Sequence, residues 1–282
     1  MESLINIWKN KTKIGNTNWT LSGNSIAGIR TSFYCNELKI LLDAGYQNFN
    51  KIKEIFITHS HADHISCLPL IILENINNKI ECNIYCPEEI VLHLENMVDS
   101  FLKCNYYSDF IPKKYYNFIG MNNKYLLNLR LNGTEIKIES INSIHTVPTL
   151  SYGFIEVKKK LKEEYKDLPN NEIVKLKNSG LEIVKKVEEK KMIFCGDTSF
   201  DIFTDNPGIL CYDNIIIECT FFDKDELKSA KERKHMHWDL LKRIILENPN
   251  IDFYLIHISA KYIGRLDLIY NLIKEFKNVF IL

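Results

Sequence analysis

Apolar residues run along this chain in short stretches of four to eight, and the stretches repeatedly stop at a residue able to bind a metal. Leu38 to Leu42 ends in Asp43, and Lys53 to Thr58 ends in His59. Glu135 to Ile141 leads to His145, Lys191 to Cys195 is followed by Gly196-Asp197, Asn214 to Ile217 ends in Glu218, and Asp252 to Ile256 ends in His257. Their β-branched and aromatic content predicts buried strands. Strands that all finish in such residues share one sheet edge, where clefts of layered α/β folds lie. Further strands are expected at Ile5–Trp8, Ile29–Cys35, Asn83–Cys86 and Lys124–Leu131, with hairpins turning at Gly23, Gly28, Asn36 and Asn132-Gly133, and an edge strand at Asn278–Leu282. Helices are expected over Ile65–Leu73, from Pro87 to about Lys103, over Trp238–Glu247 and over Arg265–Phe276.

The stretch Ile57-Thr58-His59-Ser60-His61-Ala62-Asp63-His64 holds three of the eight histidines within six residues, beside an aspartate. A strand-to-helix turn carrying them fans His59 and His61 one way and Asp63 and His64 another, which suits two metals side by side. Imidazole nitrogen and carboxylate oxygen are zinc donors, and two-metal hydrolytic sites hold their ions roughly 3.5–4 Å apart. Asp197 emerges after a glycine at the same sheet edge, exposed there and able to bridge two cations. His145 by itself suits a ligand and a structural residue equally. Asp43 reads either as a turn residue or as an outer partner that orients a ligand. His93 lies within a helix and has no ligand-type neighbour.

Composition narrows the function less than the pattern does. The chain has 282 residues, 45% apolar and 26% charged, enough for one large core. We read one domain over 1–282. Lys plus Arg equals Asp plus Glu, so a surface for a polyanion must be a local patch. Residues 157 to 191 carry eleven lysines against seven acids, and the part at about 157–187 reads as a surface insertion that either grips phosphates or is simply solvated. The tyrosines between 106 and 116 suit packing or base stacking. The dispersed cysteines read as reduced thiols, and no stretch suggests a leader or a membrane span. An intracellular, cytoplasmic site is expected, with the nucleus open.

The ordered set His59-x-His61-x-Asp63-His64, His145, Asp197 and His257 resembles the metallo-β-lactamase superfamily, whose fold is a four-layer αβ/βα sandwich. Gly196-Asp197-Thr198, Glu218-Cys219-Thr220-Phe221, His235-Met236-His237 and His257-Ile258-Ser259-Ala260-Lys261-Tyr262 are similar, within it, to the short tRNase Z family, and Lys160-Leu161-Lys162-Glu163-Glu164-Tyr165, Asn171-Glu172-Ile173 and Leu176-Lys177-Asn178-Ser179-Gly180 further resemble its plant-type members. The resemblance implies an endonuclease that trims the 3′ trailer of precursor tRNA, with two zinc ions per chain. His59, His61 and His145 would hold one, Asp63, His64 and His257 the other, and Asp197 both. It also implies that Glu218 and His235, with Asp63, do the proton chemistry, that the products are a tRNA 3′-OH and a trailer 5′-phosphate, and that the protein is a homodimer. The resemblance leaves open which of His235 and His237 donates the proton. Ser66 and Cys67 stand where two glycines are usual, and Lys261 where Arg is usual. The rival reading keeps the metals but hydrolyses another phosphodiester or a small ester or thioester.

Overall fold

The computed structural model describes residues 8–47, 51–109 and 112–282. The expected strand at Ile5–Trp8 lies mostly outside them. One sheet runs β1 (Thr12–Lys13), β2 (Thr20–Ala27), β3 (Arg30–Cys35), β4 (Ile40–Leu42), β5 (Glu54–Phe56), β6 (Cys82–Pro87) and β7 (Tyr116–Met121) in that spatial order. The other contains β8 (Leu126–Leu131), β9 (Thr134–Asn142), β10 (Leu150–Leu161), β11 (Val184–Phe194), β12 (Asn214–Glu218), β13 (Asp252–Ile256) and the edge strand β15 (Val279–Ile281). The short β14 (Ile258–Ser259) leaves that second group of strands and pairs with β2 of the first sheet. This crossing carries the chain after His257 from one sheet to the other.

Alternation along each strand sorts side chains between two cores. Ile216, Tyr254 and Ile256 face Phe33, Phe56, Tyr85 and Phe194 in a core between the sheets. Their neighbours Ile215, Ile217, Phe253 and Leu255 turn outward onto the helices α7 (Trp238–Glu247) and α8 (Leu266–Ile273). On the far side, Ile55, Ile57 and Ile84 pack under α2 (Leu68–Asn77) and α3 (Val91–Tyr106). Strands covered on both faces must be apolar throughout, which is why they read as unbroken runs. The result is helix, sheet, sheet, helix, as the resemblance implies.

Four expectations change. Gly23 lies inside β2 instead of at a turn. The helix after the histidine stretch begins early, as the short α1 (Ala62–Ile65), so Asp63 and His64 sit on a helical turn. Asp197 is at the sheet edge but buried, 1% exposed, because the histidines close over it. The lysine-rich segment is an extension of the sheet: β10 and β11 continue outward as a paired ribbon whose far end is closed by α4 (Asn170–Asn178).

Candidate metal centre

The strand ends deliver the site. β4 stops at Leu42, and Asp43 turns with a left-handed backbone (φ 56°). His257 does the same after β13 (φ 57°), and Gly196 after β11 (φ 61°). Non-glycine residues rarely adopt this conformation, and such strain gathers at functional sites. Gly45 is needed for space, since a Cβ there would lie 1.7 Å from the Asp63 carbonyl oxygen.

Inward-facing donors converge in two adjoining groups, one of His59, His61, His145 and Asp197, the other of Asp63, His64 and His257, and a third set overlaps them, joining His235 to Asp197 and His257. In the first, His61 Nδ1 lies 3.1 Å from His59 Nε2 and 3.2 Å from His145 Nε2, while Asp197 Oδ2 is 3.7 Å and 3.8 Å from the latter two nitrogens. In the second, His257 Nε2 is 3.1 Å from Asp63 Oδ2, and His64 Nε2 is 3.7 Å from the same oxygen. Asp197 joins them, 3.4 Å from both His64 and His257. Ligands about 2.0–2.2 Å from a tetrahedral ion stand roughly 3.3–3.6 Å from each other. The observed spacings therefore suit shells of that kind, with Asp197 shared.

Two buried atoms at this centre, His64 Nε2 and Asp197 Oδ1, have no hydrogen-bond partner. Buried polar atoms are rarely left so, and a cation satisfies both. The donor set thus fits a metal ion.

The outward nitrogens are held by a second layer. Asp43 Oδ2 lies 2.8 Å from His64 Nδ1, and its carboxylate also accepts from the Thr58 amide (2.7 Å) and hydroxyl. Thr58 Oγ1 is in turn 3.0 Å from His59 Nδ1. Thr220 Oγ1 lies 3.1 Å from His257 Nδ1 and donates to Glu218 Oε2. His145 Nδ1 is 3.2 Å from the Lys234 carbonyl oxygen, while the Lys234 ammonium donates back to the His145 carbonyl at 3.1 Å. Lys234 is itself left-handed (φ 55°), the turn that lets it clamp both ends of this histidine. Such contacts fix the tautomer so that a lone pair faces inward.

Burial, reinforced by neighbouring histidines, holds His59 well below the usual imidazole range, and burial also lowers His61 and His145. These three are neutral donors, as a metal requires. For His64, burial works against the proton, yet Asp197 and Asp43 overcome it and push the ring up to about 9. His235 behaves alike, Glu218 outweighing burial and raising it to about 9.

His235 and Glu218 form a separate pair at the rim. Glu218 is fully buried at the end of β12, and its Oε1 accepts from the Thr198 amide (2.7 Å) and lies 2.8 Å from His235 Nδ1. His235 Nδ1 is 3.9 Å from Asp197, so the pair overlooks the ligand cluster. His235 lines a cleft of about 260 Å³ with His61, Asp63, Asp197 and His257, and Arg233, Gly28 and Ser259 are also in its wall; Glu218 lies buried behind His235. His237 is elsewhere: fully buried, it accepts from the Asp239 amide as the cap of α7, and its other nitrogen faces the Asp223 carbonyl. His93 is outside the cluster. Lys261 is bound up with Asp223 and Glu226 at 3.1 and 2.5 Å. All seven expected ligands, with Glu218 and His235, are brought together. Thr220 falls inside one of the resembling stretches, though the resemblance assigns it no role; Thr58, Lys234 and Arg233 belong to the neighbourhood without a signal of their own, because nothing in a lone threonine or cation marks what it touches.

Comparison with known proteins follows this geometry. A family model described as Anti-Pycsar protein Apyc1 matches residues 35–244. The tRNase Z TRZ1 of Arabidopsis thaliana is 28% identical over 251 residues, 86% of each chain. The ribonuclease Z of Nanoarchaeum equitans is 30% identical over 245 residues, 78% of this chain and 71% of that protein. The chain belongs to the ribonuclease Z family and to the family of the Apyc1 model. Human tRNase Z, short form, superposes with a TM-score of 0.58 at 17% identity, covering 92% of this chain and 94% of that one. The metallo-β-lactamase fold protein YhfI of Bacillus subtilis superposes at 0.59 and 15% identity, covering 92% and 93%, which places the fold among metallo-β-lactamase folds. The span matched by the Apyc1 model takes in every residue of the centre except His257.

Proposed function

We propose that this ribonuclease Z family member is a tRNA 3′-processing endoribonuclease that carries two zinc ions per chain. The observation carrying the reading is His235, held from behind by Glu218, in the wall of the cleft onto which His61, Asp63, Asp197 and His257 of the donor cluster open. The curated relatives that bear the names tRNase Z and ribonuclease Z support the substrate. His59, His61 and His145 would hold one ion, Asp63, His64 and His257 the other, and Asp197 both. Bound zinc supplies an activated water as nucleophile and neutralises phosphate charge.

The protein's own residues do the rest. His235, its Nδ1 held by Glu218, carries a proton on Nε2 and gives it to the departing 3′ oxygen of the upstream nucleotide. Its raised affinity for protons keeps it loaded at neutral pH. Asp63, fixed by the Gly28 amide at 2.8 Å, orients the attacking water. Arg233, at the rim of the cleft, meets a flanking phosphate with its guanidinium fork. The products are a tRNA ending in 3′-OH and a trailer with a 5′-phosphate.

Three further parts belong to the reading. The enzyme is a single domain over 1–282 whose ribbon at about 157–187 is an insertion. It acts as a homodimer; the exposed Leu268 and Leu272, four residues apart on one face of α8, offer apolar surface of the kind subunits cover. It works inside the cell, in cytoplasm or nucleus, and all eight cysteines are unpaired, as a reducing compartment demands. Among the described residues no helix is long and apolar enough to cross a membrane.

A second reading is hydrolysis of another phosphodiester, supported by a cleft of about 260 Å³, which is small enough for one nucleotide unit. Turnover of a labelled precursor tRNA against that of a small diester separates the two. The first reading requires a discrete cut at the mature 3′ end, and loss of that cut in His61→Ala and His235→Ala.

A further inference from the structure

The formal charge of the chain is zero, so positive charge left unpaired anywhere on it is local. On the strands of the lysine-rich ribbon every lysine but Lys159 is ion-paired, and its remaining free cations among the described residues, Lys162, Lys175 and Lys177, stand apart around its far end. Lys158 and Lys160 are paired with Glu189, Lys137 with Glu188, Lys186 with Glu135 and Lys190 with Glu139. Elsewhere unpaired cations do gather. At the ends of the sheets remote from the metal centre, the β3–β4 turn, the approach to β5 and the β8–β9 turn surround a pocket of about 430 Å³.

Lys39, Lys51, Lys53 and Arg130 stand in its wall, all exposed, and none makes an ion pair among the described residues. The one acid there, Glu54, is already engaged by the Tyr85 hydroxyl at 2.9 Å and the Asn83 amide at 3.2 Å. Glu135, the cross-strand neighbour of Arg130, is ion-paired with Lys186 at 2.6 Å. Leu38 and Leu131 lie beneath the pocket, 2% and 4% exposed, so its apolar lining comes mainly from the aliphatic stems of the lysines and Arg130. Asn132 donates to the Glu37 carbonyl at 2.9 Å, tying the turns of the two sheets together beneath it. Strand rise of about 3.3 Å per residue from Lys53 to His59 puts the pocket roughly 20 Å from the metal centre.

We propose that this pocket is a nucleoside phosphate site, with the base or sugar against the aliphatic stems that line it and the phosphates between the charged ends of Lys39, Lys51, Lys53 and Arg130. Four cations around an apolar lining suit an anion with an apolar body better than a bare phosphate, and the volume is that of an ordinary small-ligand site. The ligand is either a free nucleotide or a nucleotide of a bound RNA. The inference is independent of the reaction assigned to the metal cleft.

The test is calorimetric titration of the metal-loaded full chain with ADP and with pyrophosphate, comparing wild type with Lys39→Glu/Lys53→Glu/Arg130→Glu. ADP should bind more tightly than pyrophosphate, and the triple variant should lose at least tenfold in ADP affinity while His61→Ala loses none. Should the triple variant melt early, Lys53→Gln and Arg130→Gln singly must each weaken ADP in part. Filter binding of a tRNA transcript then identifies the source. Competition by ADP, with weaker tRNA binding in the variant, marks an RNA site; unchanged tRNA binding marks a free nucleotide. Equal ADP affinity in wild type and variant, or ADP binding lost only in His61→Ala, overturns the proposal.

Discussion

At the scale of single residues, the site divides into groups that face the reaction and groups that aim them. In the function proposed, His235 belongs to the first. Replacing it with Ala should lower the single-turnover cleavage rate of precursor tRNA by about 10²–10⁴-fold, the usual worth of a positioned acid, with metal content measured on the same sample unchanged. A parallel loss of metal would mean that His235 is a ligand, as its 3.9 Å approach to Asp197 allows geometrically. Asp43 belongs to the second. It touches no inward donor, yet it is the outer partner of His64 and, through Thr58, of His59. Asp43→Asn should therefore weaken metal binding by about 10–100-fold in a chelator competition assay, while metal-saturated protein keeps most of its activity.

At the scale of elements, the strand ends were legible and their surroundings were not. Asp43, His59, Asp197, Glu218 and His257 announce themselves because an apolar run cannot end in a carboxylate or imidazole without a reason. The choice between His235 and His237 was not legible, since both neighbour the same helix start; only the fold shows that one faces the cleft and the other caps α7. The ribbon was hidden for a different cause. β10 and β11 set Lys159 opposite Lys186 and Lys160 opposite Lys185, so its ion pairs run diagonally and to neighbouring strands, and no alternation of apolar and polar positions marks it. Gly45 shows how tightly elements meet: Gly45→Ala forces a methyl against the backbone that carries Asp63. Overpacking of this kind costs about 1–3 kcal/mol, and here it should lower both the melting temperature and the metal affinity. A melting temperature within a degree of wild type would show that the β4 turn yields freely.

At the scale of the molecule, two sheets meet at one edge and their joint centre needs both. His59, His61, Asp63 and His64 come from the first sheet's connections, and His145, Asp197 and His257 from the second's. A bound cation therefore ties the halves together. Metal added at a hundredfold excess over its dissociation constant should stabilise the fold by about 2.7 kcal/mol, read as a rise in the denaturant midpoint that a chelator reverses. If α8 forms the subunit contact, Leu268→Glu/Leu272→Glu should halve the mass seen by light scattering without unfolding the chain.

The central claim, that seven side chains from both sheets hold metal over which Glu218 and His235 direct phosphodiester hydrolysis, meets its most direct test in one mapped cleavage. Metal-loaded protein incubated with a 3′-extended precursor tRNA should give a single cut at the mature 3′ end, leaving 3′-OH and 5′-phosphate termini, and His61→Ala should give none. An uncut precursor with fully loaded wild-type protein, or undiminished cutting by the variant, would contradict the account.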